Sequence, residues 1–213
     1  MTESPTAERI LEKANSLFMQ YGLRSVSMDD IAGGLGMSKK TIYQYYADKD
    51  ELVVAVISDE LARNQNLCEL DRTSSSNAVH EIFLALDRIV SLFGTMNPSI
   101  IYDMHKYHPK AFDQFQQYKD GYVYSIIREN MVRGIQEGYY REDIDLDILA
   151  RYRLESIMLP FNPEFQNKLK KHLVQIEQEL IIHFLFGLAS SKGYSMINQY
   201  LKERIKQSNH ENK

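Results

Sequence analysis

The sequence predicts an all-α fold, and three observations carry that expectation. Apolar residues recur at steps of three and four along most of the chain, while alternating stretches are few. Only 5 prolines and 10 glycines occur in 213 residues, so helices are seldom interrupted. A hydrophobic content of 44% is enough to pack one large or two modest domains.

The first helix carries Ile10, Leu11, Ala14, Leu17 and Phe18 on one stripe and stops at Tyr21-Gly22. Residues 27–46 then read as two short helices across a glycine turn. Ser27 and Ser38 each suit an N-cap, and Val26 with Ile31 and Met37 with Ile42 form hydrophobic staples. Asp30 stands three residues after Ser27 and completes a capping box, whereas Thr41 holds that place after Ser38 and leaves the N-terminus open to an anion. Gly36 takes the left-handed turn between them, and Gly33-Gly34 is expected to loosen the second turn of the first helix.

Helical rotation puts Ile42, Tyr45 and Tyr46 on one side of the second helix and Lys40 and Gln44 on the other, with Lys39, Thr41 and Tyr43 on the flanks. Lys suits phosphate or guanine, Gln pairs with adenine, and the Thr methyl meets a thymine methyl. Tyr43 is a phosphate donor rather than a base reader. That face suits a DNA groove.

Asp48-Lys49-Asp50-Glu51-Leu52 opens a fourth helix, expected to run to about Leu70. Residues 71–77 have loop composition and divide the chain into parts 1–70 and 71–213. Beyond them, an apolar helix spans 78–93, and Asn97-Pro98 starts a short one broken at His108-Pro109. A long helix follows to Gly138, another covers 146–159, and the last two cover 164–190 and 194–207, divided by Gly193.

The first 55 residues resemble the N-terminal domain of the TetR (tetracycline-repressor-like) family of transcriptional regulators. Ala14, Leu17-Phe18, Tyr21-Gly22, the entry at 27–31, Leu35-Gly36-Met37-Ser38, Thr41-Ile42-Tyr43, Tyr45-Tyr46, Lys49 and Glu51-Leu52 carry the resemblance. Lys40 departs from it, standing where the family very often has glycine.

The resemblance implies a helix-turn-helix at 27–46 joined to a larger helical ligand-binding and dimerisation domain. It places Ser27, Ser38, Lys39, Lys40, Thr41, Tyr43, Gln44 and Lys49 at DNA, with Tyr43 and Lys49 on phosphates. It also implies a homodimeric, cytoplasmic repressor that binds a palindromic operator and is released by a small-molecule inducer.

The segment 180–189 is apolar nearly all round its axis and needs burial on more than one side. Ile181, Phe184, Leu185 and Leu188 are the expected dimer anchors, with the helix at 146–159 as their partner; a wholly internal core helix is the alternative. Tyr102, Met104, Tyr118, Tyr122 and Met158 are the expected lining of an effector pocket, set against ordinary helix packing.

Charge is unhelpful at first sight. The chain carries a net −4, and residues 1–51 hold six basic against eight acidic residues, but residues 37–49 hold three lysines against Asp48. Few phosphates are neutralised per subunit, so a shallow salt dependence is expected. No signal-peptide pattern and no apolar run of membrane-spanning length is visible. The single cysteine, Cys68, reads as a packed helix residue. His105 and His108 are three apart, but Pro109 follows and no third ligand completes a metal shell, so no metal or cofactor is expected. The alternatives to a regulator are an enzyme, for which no nucleophile elbow or phosphate loop is present, and a helical interaction module without specific DNA binding.

Overall fold

The computed structural model describes residues 4–211, with side chains described through residue 206. Helices follow in the order α1 (Pro5–Tyr21), α2 (Met28–Leu35), α3 (Lys39–Ile42), α4 (Lys49–Ser74), α5 (Ala78–Thr95), α6 (Ile100–Tyr107) and α7 (Pro109–Tyr118). A π-helical turn, Lys119–Val123, leads into α8 (Tyr124–Gln136), then α9 (Leu146–Ser156), a 3-10 turn at Leu159–Phe161, α10 (Pro163–Leu169), α11 (Leu173–Leu188) and α12 (Ser191–Glu211). Among the described residues, the one extended pairing is a bridge between Tyr140 and Ala189.

The chain folds into two compact units. One comprises Met1–Asn66 with Leu92–Tyr118, the other Leu67–Ser91 with Lys119–Lys213. Residues 92–118, expected in the second part of the chain, therefore pack with the first. The loop expected at 71–77 is also mostly helix. Thr73 and Ser74 turn their hydroxyls back onto the carbonyls of Glu69 and Leu70, at 2.8 and 2.7 Å, and α4 continues through them.

In the first unit, Ile10, Ala14 and Phe18 of α1, Ile31 of α2, Ile42 of α3 and Leu52, Val53 and Val56 of α4 are fully buried together. Ser4 caps α1 ahead of Pro5, and Ser27 and Asp30 close a capping box on α2. Gly36 ends α2 in the left-handed conformation at φ 63°. The double glycine does not loosen α2, which is regular across Gly33 and Gly34; a Cβ on Gly34 would fall 2.4 Å from Lys13 Cε of α1.

Residues 97–108 are tied to this unit by polar bonds. The Asn97 N–H donates to Met19 O at 2.6 Å, and Asp103, 5% exposed, accepts from the Arg24 N–H at 3.1 Å and the Ser99 hydroxyl at 3.2 Å. His108, also buried, meets Asp50 at the start of α4 at 2.6 Å.

The second unit packs around Tyr140, whose hydroxyl donates to Asn130 Oδ1 at 3.1 Å. Burial pushes that phenol far above its ordinary range, so it stays protonated and a donor. Gly134 makes room for the ring, since a Cβ there would lie 2.0 Å from it. Gly193 lies inside α12 rather than dividing helices, because its missing side chain admits the Tyr139 carbonyl.

Gly22 links α1 to α2 at φ 84° and ψ 157°, a region nearly exclusive to glycine, and a Cβ there would stand 2.7 Å from Ser99 Oγ. Gly22→Ala should therefore cost about 1–3 kcal/mol in urea unfolding. Gly33→Ala, in a helix with open space around it, should instead gain about 0.8–1 kcal/mol.

Candidate nucleic-acid interface

The second helix of the turn motif is shorter than expected. α3 keeps regular α-helix only over Lys39–Ile42, and the chain then tightens, with Gln44 N bonding Thr41 O at 3.2 Å and Tyr45 N bonding Ile42 O at 3.0 Å. Ser38 holds its start by accepting from the Thr41 N–H at 3.1 Å. Ile42 is the fully buried side chain that seats it. Tyr46 also turns inward, donating from its hydroxyl to Ala7 O at 3.4 Å, while Tyr45, expected beside it, is 38% exposed.

The eight expected DNA residues divide by what already holds them. Lys40, Tyr43 and Gln44 are exposed, and among the described residues their side chains form no hydrogen bond or ion pair. Lys39 is exposed too, but its ammonium pairs with Asp29 in the first turn of α2 at 2.9 Å, and this bond raises its pKa. Asp29 is a partner that sequence spacing did not reveal. Ser38 and Thr41 share a hydroxyl bond of 2.9 Å, and Ser27 Oγ donates to Asp30 Oδ2 at 2.6 Å, so these three groups are engaged in capping.

Lys49 differs most from expectation. Its ammonium donates to Leu23 O at 2.6 Å and lies 5.9 Å from the Phe18 ring, and burial lowers its pKa. One of its three N–H donors is spent inward, which makes it first a brace between α4 and the turn before α2.

The expected dimer anchors lie inside one chain, as in the alternative of a core helix. Ile181, Phe184, Leu185 and Leu188 are 3%, 8%, 1% and 2% exposed and belong to the core of the second unit. A residue already covered within one chain has little area left for another. An open apolar face lies on α9, where Ile148 and Tyr152, one helical turn apart, are 66% and 50% exposed, and Leu159 in the 3-10 turn that follows is 37% exposed.

The expected effector residues fall in both units. Tyr102 is 44% exposed on α6, Met104 is 2% exposed in the first core, and Tyr118 ends the same unit. Tyr122 and Met158 belong to the second unit, and the Tyr122 hydroxyl donates to Glu69 Oε1 at 3.3 Å.

A more notable polar group lies on α11. Glu177 is fully buried and ion-paired with Arg153 of α9, and burial raises its pKa. Its second oxygen, Oε2, has no hydrogen-bond partner among the described residues. Cys68 is buried, with its thiol pKa pushed up by burial. Among the described residues, no group of three metal-ligating side chains is present and no helix is long and apolar enough to cross a membrane.

A capped helix, a left-handed glycine turn and a second helix with an exposed cationic and amide face define a helix-turn-helix DNA-binding protein. Residues 10–56 match the family model for bacterial regulatory proteins, tetR family. These residues thus form a tetR-family DNA-binding domain, and the chain is a DNA-binding transcriptional regulator, not an enzyme.

It is similar to the HTH-type transcriptional regulator YvaF of Bacillus subtilis, at 27% identity over 165 residues, covering 76% of this chain and 84% of that protein. The HTH-type transcriptional repressor KstR2 of Mycobacterium tuberculosis is 27% identical over 153 residues, covering 67% and 73%. The crystal structure of the regulator FadR from Bacillus subtilis in complex with stearoyl-CoA shares the fold, with a TM-score of 0.64 and 18% identity over 85% of this chain and 98% of that one.

Lys40→Ala and Gln44→Ala should each cost about 1–3 kcal/mol on a specific site, with Gln44→Ala also relaxing base preference. Tyr43→Phe should weaken specific and scrambled duplexes alike. Titrations by fluorescence anisotropy against both duplexes distinguish these outcomes, and unchanged affinity in all three variants would exclude this face.

Proposed function

We propose that this regulator is a cytoplasmic homodimeric repressor that reads a palindromic operator through Lys40, Tyr43 and Gln44 and is released by a small molecule. The observation that carries the reading is the reading face itself, whose polar groups are exposed and unmet among the described residues while Ile42 and Ser38 fix the backbone beneath them. One recognition element this short buries too little surface for useful affinity, whereas two copies about 34 Å apart reach successive major grooves. A relative that carries the name repressor, KstR2, supports repression over activation.

The dimer contact we infer is the open face of α9. Ile148 and Tyr152, with Leu159 in the turn just after the helix, would be costly to leave in water on a lone subunit, and the helix at 146–159 is the one expected to partner the 180–189 segment. Release by a small molecule is supported by the stearoyl-CoA complex of FadR and by Glu177. A buried carboxylate oxygen without a donor costs about 1–3 kcal/mol. A ligand hydroxyl or amide entering beside Arg153 would remove that cost. A charged ligand group would leave this already neutral pair with an unbalanced charge.

Gel shifts with the duplex flanking the protein's own gene test the central claim; a regulator of this kind retards that duplex and not a scrambled one. Ile148→Glu combined with Tyr152→Glu should yield monomers in sedimentation that keep their helical circular dichroism at about 25 °C, and operator affinity should fall as the dimer is lost. Phe184→Lys should act differently. It places a charge in the second core beside Arg153 and should cost several kcal/mol of stability, about the 3–5 kcal/mol typical of an uncompensated buried charge.

A further inference from the structure

We propose that Arg24 and Lys106 form a second phosphate clamp at the edge of the operator interface, with Lys106 supplied by α6 rather than by the turn motif. The proposal rests on the DNA-binding reading and extends its footprint.

The argument begins with placement. The Lys49 ammonium bonds the Leu23 carbonyl and is close enough to Asp30 of α2, Asp50 of α4 and Asp103 of α6 to feel all three charges. The starts of α2 and α4 and the later turns of α6 therefore meet around one point. Arg24 is the next residue after Leu23, and its backbone N–H is held by Asp103. Its guanidinium lies 5.5 Å from the centre of the Tyr107 ring. The Lys106 ammonium lies 5.4 Å from the same ring and 5.5 Å from that of Tyr102, whose hydroxyl it meets at 3.1 Å. Two cations thus share one aromatic cradle beside the entry to α2.

What holds these cations decides what they can do. A carboxylate neutralises the cation it positions, as Asp29 does for Lys39. A ring face positions a cation and leaves its formal charge in place. Arg24 and Lys106 are exposed and form no ion pair among the described residues, and the hydroxyls of Tyr102 and Tyr107 raise the Lys106 pKa. The nearest buried acid, Asp103, is already bonded to the Arg24 backbone and the Ser99 hydroxyl.

The need for such a clamp comes from α2. Its capping box consumes the Asp30 and Ser27 N–H groups and adds the Asp30 charge at the helix start. A phosphate passing there finds few free N–H donors and requires cations from outside the helix. Lys39 is taken by Asp29 and Lys49 is turned inward to the Leu23 carbonyl, which leaves Arg24 and Lys106, on their shared ring, as the pair to supply them. The ligand class is the sugar-phosphate backbone of duplex DNA, contacted without regard to sequence.

The test is the salt dependence of binding, measured by anisotropy with full-length protein on the labelled duplex flanking its gene and on a scrambled duplex of equal length. Each phosphate contact contributes about 0.9 to the slope of log affinity against log salt, so a dimer losing one contact per subunit should lose about 2. Arg24→Gln and Lys106→Gln should each show that loss on both duplexes, Lys106→Arg should restore the slope, and Lys168→Gln on α10 should leave it unchanged. Unaltered slopes for both Gln variants would overturn the clamp, and so would weakened operator binding at constant slope, which would mark a merely positional role. Wild-type protein that retards neither duplex would instead overturn the DNA-binding reading on which the clamp stands.

Discussion

A four-residue helix cannot persist by itself, because nucleation fixes several backbone angles for each hydrogen bond gained. α3 is such a helix, and it is held by anchors at both ends: Ile42 sealed into the first core, Ser38 capping the start, and Tyr46 bonded to Ala7 of α1. The directions of Lys40 and Gln44 are therefore properties of α1, α2 and α4 more than of α3. A substitution that loosens that core misdirects the reading face before the chain unfolds. This dependence explains why so much of the first unit is apolar packing with so few residues left for DNA.

The same unit includes a stretch distant in sequence. Residues 92–118 join it through packing and through bonds made by Asn97, Asp103 and His108. Such bonds are directional, so they fix the register of α6 against the α1–α2 turn more strictly than apolar contact alone. Gly22 has no side chain to interpose, which lets Ser99 and Asp103 approach that turn closely. A displacement of α6 consequently reaches the entry of α2, and with it the partner Asp29 that steadies Lys39.

The fold class, the capping box, the glycine turn and the buried side of α3 at Ile42 were readable because they depend on neighbours three to five residues apart. The features that escaped the reading depend on distant partners. Nothing near Lys49 in sequence announces the Leu23 carbonyl, and nothing near Lys39 announces Asp29. The segment 180–189 is apolar all round, and periodicity alone does not separate burial within a chain from burial against a second copy; the structure gives Ile181, Phe184, Leu185 and Leu188 to the chain itself. Serine and threonine at 73–76 signalled a loop, yet hydroxyls bonding back to the preceding turn let α4 pass through Ser74. The tyrosine-rich composition of the middle region suggested a pocket, but composition carries no information about which residues share a unit.

Charge illustrates the same distinction between sum and arrangement. A net −4 seems to oppose DNA binding, yet at physiological salt a charge is felt over about 8 Å, so remote acids contribute little at the reading face. What a phosphate meets is set by how each nearby cation is held. Lys39 is balanced by a carboxylate, Lys49 by a carbonyl dipole, and Lys40 by no bonded partner among the described residues. Arg24 rests on an aromatic ring, which orients it without cancelling it. An acidic protein therefore presents positive charge to DNA wherever its cations are positioned by groups other than acids, and the first unit places such cations on either side of α2.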